Sequence, residues 1–273
     1  MIDKFLRCPN CHRAGEIFFD PDSLDIQRAI CRFCGHRLSV FSGIPNFAEH
    51  LTLDEAKLGK AQKLMNSKIF AFIYETLIWR RLHTRIGSGI SMEQEVQEVL
   101  EMSGTDSAQV VADLACGTGH YARAFARKLP DALIYGLDIS LSMLDQGRKK
   151  ARKEGLNTIM FLRGDIHRLP FDDESVDRVN CGGALHLFQN LSAIWKEISR
   201  ILRPGGVFTA MTITLGPGLI HKVQKRLMDR GRATFFHPHQ LVDDLNSVGL
   251  SSFRYKQHRV SLIFRTVKIS PTR

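Results

Sequence analysis

Four cysteines near the N-terminus are spaced as metal ligands. They form two Cys-x-x-Cys pairs, Cys8 with Cys11 and Cys31 with Cys34, separated by nineteen residues. Each pair lets two thiolates converge on one ion, and two pairs complete a closed tetrahedral shell that leaves no position for water. The spacing therefore predicts a structural zinc ion, held by a small zinc ribbon over residues 1–50.

A second segment that could do chemistry spans residues 110–121, VVADLACGTGHY, in which an apolar run enters a glycine-rich turn. Small residues in such a turn let a ligand approach the backbone closely. Two later apolar runs end in Asp138 and in Gly164-Asp165-Ile166. The carboxylate of Asp138 is placed to accept hydrogen bonds from both hydroxyls of a ribose. The pattern predicts one crevice that binds a nucleoside-containing cofactor.

The elements that must position these residues alternate between strand and helix. Such alternation, five times over, predicts a Rossmann-like, doubly wound, mostly parallel α/β sheet. Ser140 is expected to cap one helix, and Pro238 to stand in the first turn of another. The predicted strands cover 110–115, 133–139, 158–166, 176–185 and 207–214, and 251–258 with 261–269 predict a terminal hairpin.

The remaining segments divide the chain further. Residues 51–104 predict a helical connector or cap with an aromatic cluster at Phe70, Phe72, Tyr74 and Trp79. The body then covers 105–273 and contains a lid insertion at 215–236. The lid has an apolar stripe and a basic face. The stripe is Leu219, Ile220, Val223, Leu227 and Met228, and the basic residues are Lys222, Lys225, Arg226, Arg230 and Arg232.

Charge and hydropathy limit the partners. The formal net charge is +10, and residues 215–273 carry eleven basic but only three acidic residues, whereas 1–50 carry six of each. An acidic partner, RNA or an anionic membrane surface, is therefore expected at the basic last quarter. The sequence has no apolar stretch of eighteen residues and no apolar run near its start, which predicts a cytoplasmic protein.

Taken together, these motifs resemble the class I S-adenosylmethionine-dependent methyltransferases, particularly the subgroup that includes quinone and natural-product methyltransferases. The similarity covers about residues 68–269 and includes a seven-stranded sheet. Residues 113–119 (DLACGTG) match the first motif, Asp138 the second, Asp165-Ile166 the third, and Leu202-Arg203-Pro204-Gly205-Gly206 the turn before the fifth strand. A dinucleotide-binding fold uses a similar strand, glycines and distal acid. The downstream motifs favour methyl transfer over that alternative.

The resemblance implies S-adenosylmethionine as cofactor and a set of residues that bind it. Gly117 and Gly119 would approach its methionine part, Asp138 would hold the ribose, and Asp165 with Ile166 would face the adenine. Ala115 departs from the family, which usually has glycine there. The complete predicted set is Asp113, Ala115, Gly117, Gly119, Asp138, Ile139, Met143, Asp165, Ile166 and Asn180.

In the family, the segment 180–186 (NCGGALH) lies beside the transferable methyl group. His186 is thus a candidate base that deprotonates an acceptor hydroxyl, or a histidine that only packs beside the cofactor. The predicted function is methylation of oxygen or carbon in a small, apolar or acidic metabolite.

Two alternatives remain open. One is a ribosomal RNA guanine methyltransferase, because one bacterial family of these enzymes has a zinc-binding domain before a methyltransferase domain of this type. The other concerns the zinc ribbon of residues 1–50 alone. It resembles a zinc-ribbon activator protein that partners methyltransferases, notably at Ser42-Gly43-Ile44-Pro45, which favours a protein-interaction or stabilising module.

Overall fold

The computed structural model describes residues 2–22, 25–51, 88–104, 107–216, 218–230 and 234–270. The predicted aromatic cluster of the connector lies outside these residues. The described part of the connector contains one helix, α1 (Met92–Ser103), whose N-cap Ser91 accepts a hydrogen bond from the amide of Gln94.

The N-terminal module consists of short antiparallel strands. Four strands form one sheet in the order β1-β2-β3-β4, and β5 pairs with β6. Their bounds are β1 Ile2–Asp3, β2 Ile17–Asp22, β3 Asp25–Cys31, β4 Arg37–Leu38, β5 Val40–Phe41 and β6 Ile44–Pro45. Ile17, Phe19 and Ala29 are buried in this module.

The body is built on a seven-stranded sheet in the order β12-β13-β11-β10-β7-β8-β9. All neighbouring pairs from β11 to β9 are parallel, whereas β13 runs antiparallel to β11 and to β12. The strands are β7 Val110–Leu114, β8 Leu133–Asp138, β9 Ile159–Arg163, β10 Val176–Gly182, β11 Leu202–Ile213, β12 Leu250–His258 and β13 Ser261–Lys268. This confirms the predicted doubly wound, mostly parallel sheet and the terminal hairpin.

Helices follow the strands as the sequence pattern predicted. They are α2 His120–Lys128, α3 Leu141–Lys153, α4 Leu191–Ile201, α5 Gly218–Asp229 and α6 Pro238–Asn246. Ser140 caps α3 through a hydrogen bond from the Met143 amide, and Pro238 stands in the first turn of α6. On α4, Ile194, Trp195 and Ile198 are buried, because they recur at helical spacing on the face toward the sheet.

Several strand boundaries differ from their predictions. β9 ends at Arg163 and not at 166, and β10 ends at Gly182 and not at 185. The fifth parallel strand begins at Leu202, so the Arg-Pro-Gly-Gly segment lies within β11 and not in a turn before it. Leu202 pairs with Val176, but the next pair is Val207 with Arg178, so the four intervening residues bulge out of register. Proline and glycine are typical of such a bulge, since proline cannot donate to the ladder.

The module and the body share one hydrophobic core. Leu6 and Phe171 pair in an antiparallel bridge, and both side chains are fully buried. The hydroxyl of Tyr135 donates to a carboxylate oxygen of Asp3 at 2.6 Å, and burial raises the pKa of that carboxyl. Among the described residues, no helix is both long and apolar enough to cross a bilayer.

Candidate active site

The predicted cofactor residues gather where the chain order of the sheet reverses. β7 lies between β8 and β10, and β8 is followed by β9. The parallel register aligns Asp113 with Gly136 and Leu114 with Leu137, so the carboxyl ends of these strands lie side by side. In open α/β sheets, ligands bind in the crevice beyond such ends.

Asp113 organises the start of the glycine-rich loop from a fully buried position. One of its carboxylate oxygens accepts a hydrogen bond from Nδ2 of Asn180 at 2.7 Å, and the other accepts from the Ala122 amide at 2.9 Å. The first bond joins β7 to β10 and the second joins β7 to α2. Asp113 and Asn180, both predicted to bind cofactor, are thus brought together and fix the loop between them.

The loop itself needs residues without bulky side chains. Ala115, Gly117 and Gly119 all have positive φ, at 50°, 56° and 71°. A Cβ on Gly119 would come within 2.8 Å of the Phe161 ring, whereas one on Gly117 would meet nothing within 4 Å. Gly119 is therefore required by packing as well as by its backbone conformation, and the space beside Gly117 is open to a ligand.

Asp138 closes the other side of this loop. Its carboxylate oxygens accept hydrogen bonds from the Gly117 amide and the Ser140 amide, each at 2.8 Å. Burial raises the pKa of Asp138, although these amides oppose the shift. A carboxylate has about four lone-pair positions, so this one retains capacity for further donors. Ile139 follows directly, and Met143 lies buried one turn into α3.

Asp165 lies just beyond β9, held by histidine. One oxygen accepts from the His167 amide and is 2.9 Å from Nδ1 of His167, and the other is 3.5 Å from Nε2 of His50. Burial alone would raise the pKa of Asp165, but the bonds from His167 and His50 outweigh it and hold the pKa below its usual range. The adjoining Ile166 is buried.

His186 stands in a short 3-10 turn after β10. Burial lowers the pKa of its imidazole to about 4, so the ring is neutral near pH 7. Its carbonyl accepts from the Thr234 amide at 2.8 Å, but its Nδ1 is buried without a hydrogen-bond partner among the described residues. A buried polar atom of this kind is costly unless something else, such as a ligand, supplies the partner.

Two buried residues near this turn have no counterpart in the predicted site. The Tyr121 hydroxyl donates to Oε1 of Glu95 at 2.5 Å, and Glu95 is only 2% exposed. The Tyr121 ring packs on Gly182, where a Cβ would come within 2.0 Å of it. Glu95 lies on α1, and nothing in the sequence distinguishes it from the other glutamates of that helix. The sequence therefore did not predict its burial.

The predicted lid contains α5. Lys222, Lys225 and Arg226 are exposed on it. Gln224 is buried and ties the helix to β11: it accepts from the Gly216 amide and donates to the Thr214 carbonyl. Of the predicted apolar stripe, Met228 is 39% exposed. The side chains of its other members, and Arg232, lie outside the described residues.

The four N-terminal cysteines converge as their spacing predicted. Their sulfur atoms all lie within 4.8 Å of one another, and Cys8 with Cys34 and Cys11 with Cys31 are each 3.7 Å apart. A tetrahedral zinc with bonds of about 2.3 Å requires sulfur separations of about 3.8 Å. The cluster therefore has the donor set and the size for a zinc ion.

The fold and the crevice define a class. A seven-stranded, mostly parallel sheet with one antiparallel strand, a glycine-rich loop after its first parallel strand and an acid after the second is the Rossmann-like fold of class I methyltransferases.

Comparisons with known proteins agree with this class. Residues 112–210 match the family described as a methyltransferase domain. The chain is 29% identical over 279 aligned residues to an uncharacterized chloroplastic methyltransferase of Arabidopsis thaliana, and the match covers 92% of this chain and 75% of that protein. It is 31% identical to a demethylmenaquinone methyltransferase of Geobacillus kaustophilus over 46% of this chain and 55% of that enzyme. The chain thus spans about half the length of that relative.

A solved structure shows the same fold. Phosphoethanolamine N-methyltransferase 2 of Haemonchus contortus, in complex with phosphomonomethylethanolamine and S-adenosylhomocysteine, superposes with a TM-score of 0.65 at 15% identity, covering 78% of this chain and 61% of that one. The chain thus contains a methyltransferase domain with a Rossmann-like fold, and its relatives support S-adenosylmethionine-dependent methyltransferase activity.

Proposed function

We propose that the enzyme methylates oxygen or carbon of a small, apolar or acidic metabolite, and that His186 accepts the proton which the acceptor loses. The observation that carries this proposal is the neutral, partly buried imidazole of His186, whose buried Nδ1 lacks a partner among the described residues. The proposal is supported by the names of two similar proteins, one of which acts on a quinone and the other of which binds a phosphorylated amine.

The crevice residues have distinct tasks in this function. S-adenosylmethionine supplies an electrophilic methyl group when bound. Asp138 would accept the ribose hydroxyls, Asp165 and Ile166 would contact the adenine, and the open space at Gly117 would take the methionine part. Ile139 and Met143 would line the same site. Much of the rate of an in-line displacement comes from holding the acceptor aligned and close in a dry site.

The proposed proton transfer to His186 requires only a weak base. Once the acceptor oxygen bonds to the methyl group that the cofactor would supply, its hydroxyl proton would become strongly acidic. A base with a pKa of about 4 can take such a proton, because the acidity of the proton at that point, and not in the free acceptor, sets the requirement. The proton passes from the acceptor oxygen to Nδ1.

The acceptor can be identified by incubating the full chain and cell extract with methyl-labelled S-adenosylmethionine and locating the label by mass spectrometry. The label is expected in a small molecule of low polarity or with an acidic group. Label in ribosomal RNA, with binding that weakens steeply as salt rises, would overturn the proposal in favour of an RNA methyltransferase.

The part played by His186 needs its own variant. With the identified acceptor, His186→Ala should lower kcat about 100-fold and leave the affinity for S-adenosylhomocysteine unchanged. His239→Ala, which removes an exposed histidine on α6, is the matched control and should change neither. An unchanged kcat in His186→Ala would mean that the residue only packs beside the cofactor.

We also propose that residues 1–50 hold one structural zinc ion through Cys8, Cys11, Cys31 and Cys34. Metal analysis should find one zinc per chain, retained in Cys181→Ser and lost in Cys31→Ser. Since the module shares its core with the body, loss of the ion should lower the free energy of unfolding by more than about 4 kcal/mol. A chelator-treated protein that melts as before would contradict this.

A further inference from the structure

The segment after β6 runs along the edge of the body's sheet. Asn46 pairs with Arg163 in a parallel bridge, and the Phe47 amide donates to the Arg163 carbonyl at 2.8 Å. Arg163 is the last residue of the edge strand β9. Residues 46–50 of the module therefore lie beside the carboxyl end of the sheet, where the cofactor crevice is expected.

The side chain of Arg163 connects this segment to the neighbouring strand end. Its Nη1 donates to Oδ1 of Asn46 at 2.9 Å and to the Ala48 carbonyl at 3.3 Å, and its Nε donates to the Ile139 carbonyl at 3.2 Å. The residue is only 5% exposed. A buried guanidinium is held rigidly by such acceptors, because losing any of them would leave a desolvated donor unpaired. The backbone at Ile139, next to Asp138, is thus fixed to the module.

His50 is the last residue of the module, and its side chain lies close to Asp165, which is expected to contact the adenine. Its Nε2 lies 3.5 Å from Oδ2 of Asp165, while Nδ1 of His167 lies 2.9 Å from Oδ1. The Asp165 side chain is 21% exposed and that of His50 35%. One histidine from the module and one from the body therefore hold the two oxygens of one carboxylate.

We propose that the docked N-terminal module shapes the cofactor site in cis, with His50 of the module as a positioning residue for Asp165 and Arg163 of the body, held by the module, as a positioning residue for Ile139. The inference rests on the proposed function insofar as Asp165 contacts the adenine and Ile139 lines the same site. Docking of the module and binding of the cofactor are then thermodynamically linked, so each strengthens the other by the same factor.

The test measures S-adenosylhomocysteine binding to the full-length, metal-loaded protein by calorimetry. His50→Ala should raise Kd roughly fivefold, the size expected for one partly exposed charged contact. Arg163→Met should raise it roughly tenfold or more, because a buried donor set is removed. Arg28→Ala is the matched control. It removes an ion pair with Asp20 from the same module, with the Arg28 side chain 79% exposed, and should leave Kd unchanged.

A double-mutant cycle separates positioning from a general loss of structure. If His50 acts through Asp165, then His50→Ala should have no further effect on Kd in the Asp165→Ala background. A penalty that persists there, or a His50→Ala variant that binds like the wild type, would overturn the inference.

Hydrogen exchange gives a readout that does not depend on a substitution. Saturation of the wild type with S-adenosylhomocysteine should slow exchange of the Phe47 amide, which bonds to Arg163. Unchanged exchange at Phe47 would overturn the linkage and leave the methyltransferase assignment intact. A wild type that binds no S-adenosylhomocysteine would instead overturn the proposed function together with this inference.

Discussion

The two ends of the crevice differ in how far the protein itself satisfies their polar groups. At the cofactor end, both carboxylate oxygens of Asp113 and of Asp138 accept hydrogen bonds from protein donors. One oxygen of Asp165 accepts from the His167 amide, and the other lies 3.5 Å from Nε2 of His50. At the acceptor end, Nδ1 of His186 is buried without a partner among the described residues. The proposed cofactor end is thus organised before any ligand arrives, whereas at the proposed acceptor end we expect the substrate to supply the missing partner.

The contrast predicts its largest effect at Asp138. Asp138→Ala removes the acceptor proposed for the ribose hydroxyls and also leaves the amides of Gly117 and Ser140 without their acceptor. Since each bond to a charged group contributes about 1.5–3 kcal/mol, Kd for S-adenosylhomocysteine should rise about 100-fold or more. Calorimetry checks this, with Asp131→Ala, which removes an exposed carboxylate just before β8, as control. A change under tenfold would mean that the cofactor end is not organised around this carboxylate.

A second prediction concerns the acceptor end and pH. The pKa of His186 is depressed to about 4 in the folded protein, below about 6.5 in the unfolded chain. Between these two pH values the unfolded state binds more protons than the folded state. The free energy of unfolding is therefore highest above about pH 6.5 and falls as the pH drops toward 4. Relative to His186→Gln, the wild type should lose about 3 kcal/mol of unfolding free energy over that window. Denaturant titrations at several pH values measure it, and parallel curves for the two proteins would contradict it.

The smallest effect is expected at Ala115. Its φ of 50° is left-handed, a conformation that costs a residue with a Cβ about 1 kcal/mol and glycine very little. Ala115→Gly should therefore raise the free energy of unfolding by about 0.5–1 kcal/mol, measured by denaturant titration. Gly155→Ala, at a positive φ with open space around it, should lose a similar amount. A destabilised Ala115→Gly would show that the methyl group makes contacts that outweigh the strain.

Sequence periodicity was enough to predict most of the fold. Apolar runs predicted the five parallel strands, the hairpin and the burial of Ile194, Trp195 and Ile198, because these features depend on local spacing alone. The start of β11 was misplaced because proline and two glycines are typical of a turn as well as of a bulge. Only the partner strand decides between them.

The residues of the candidate site were likewise predicted only in part. The cysteine pairs and the glycine-rich loop follow from short-range spacing, and the structure brings each set together. His50, Arg163 and Glu95 were not predicted from the sequence, because their importance depends on contacts across 26 to 117 positions of the chain or on burial that a single helix face does not reveal. No local motif encodes such contacts.

The bridge between Asn46 and Arg163 has a consequence beyond the cofactor. A bare outer strand offers unpaired amides and carbonyls to any other chain that can add to it, which is a common route to aggregation. Here the N-terminal module occupies part of that outer strand at β9. We expect loss of the proposed zinc ion to uncover this strand, so that the metal-free protein precipitates or self-associates in proportion to its concentration.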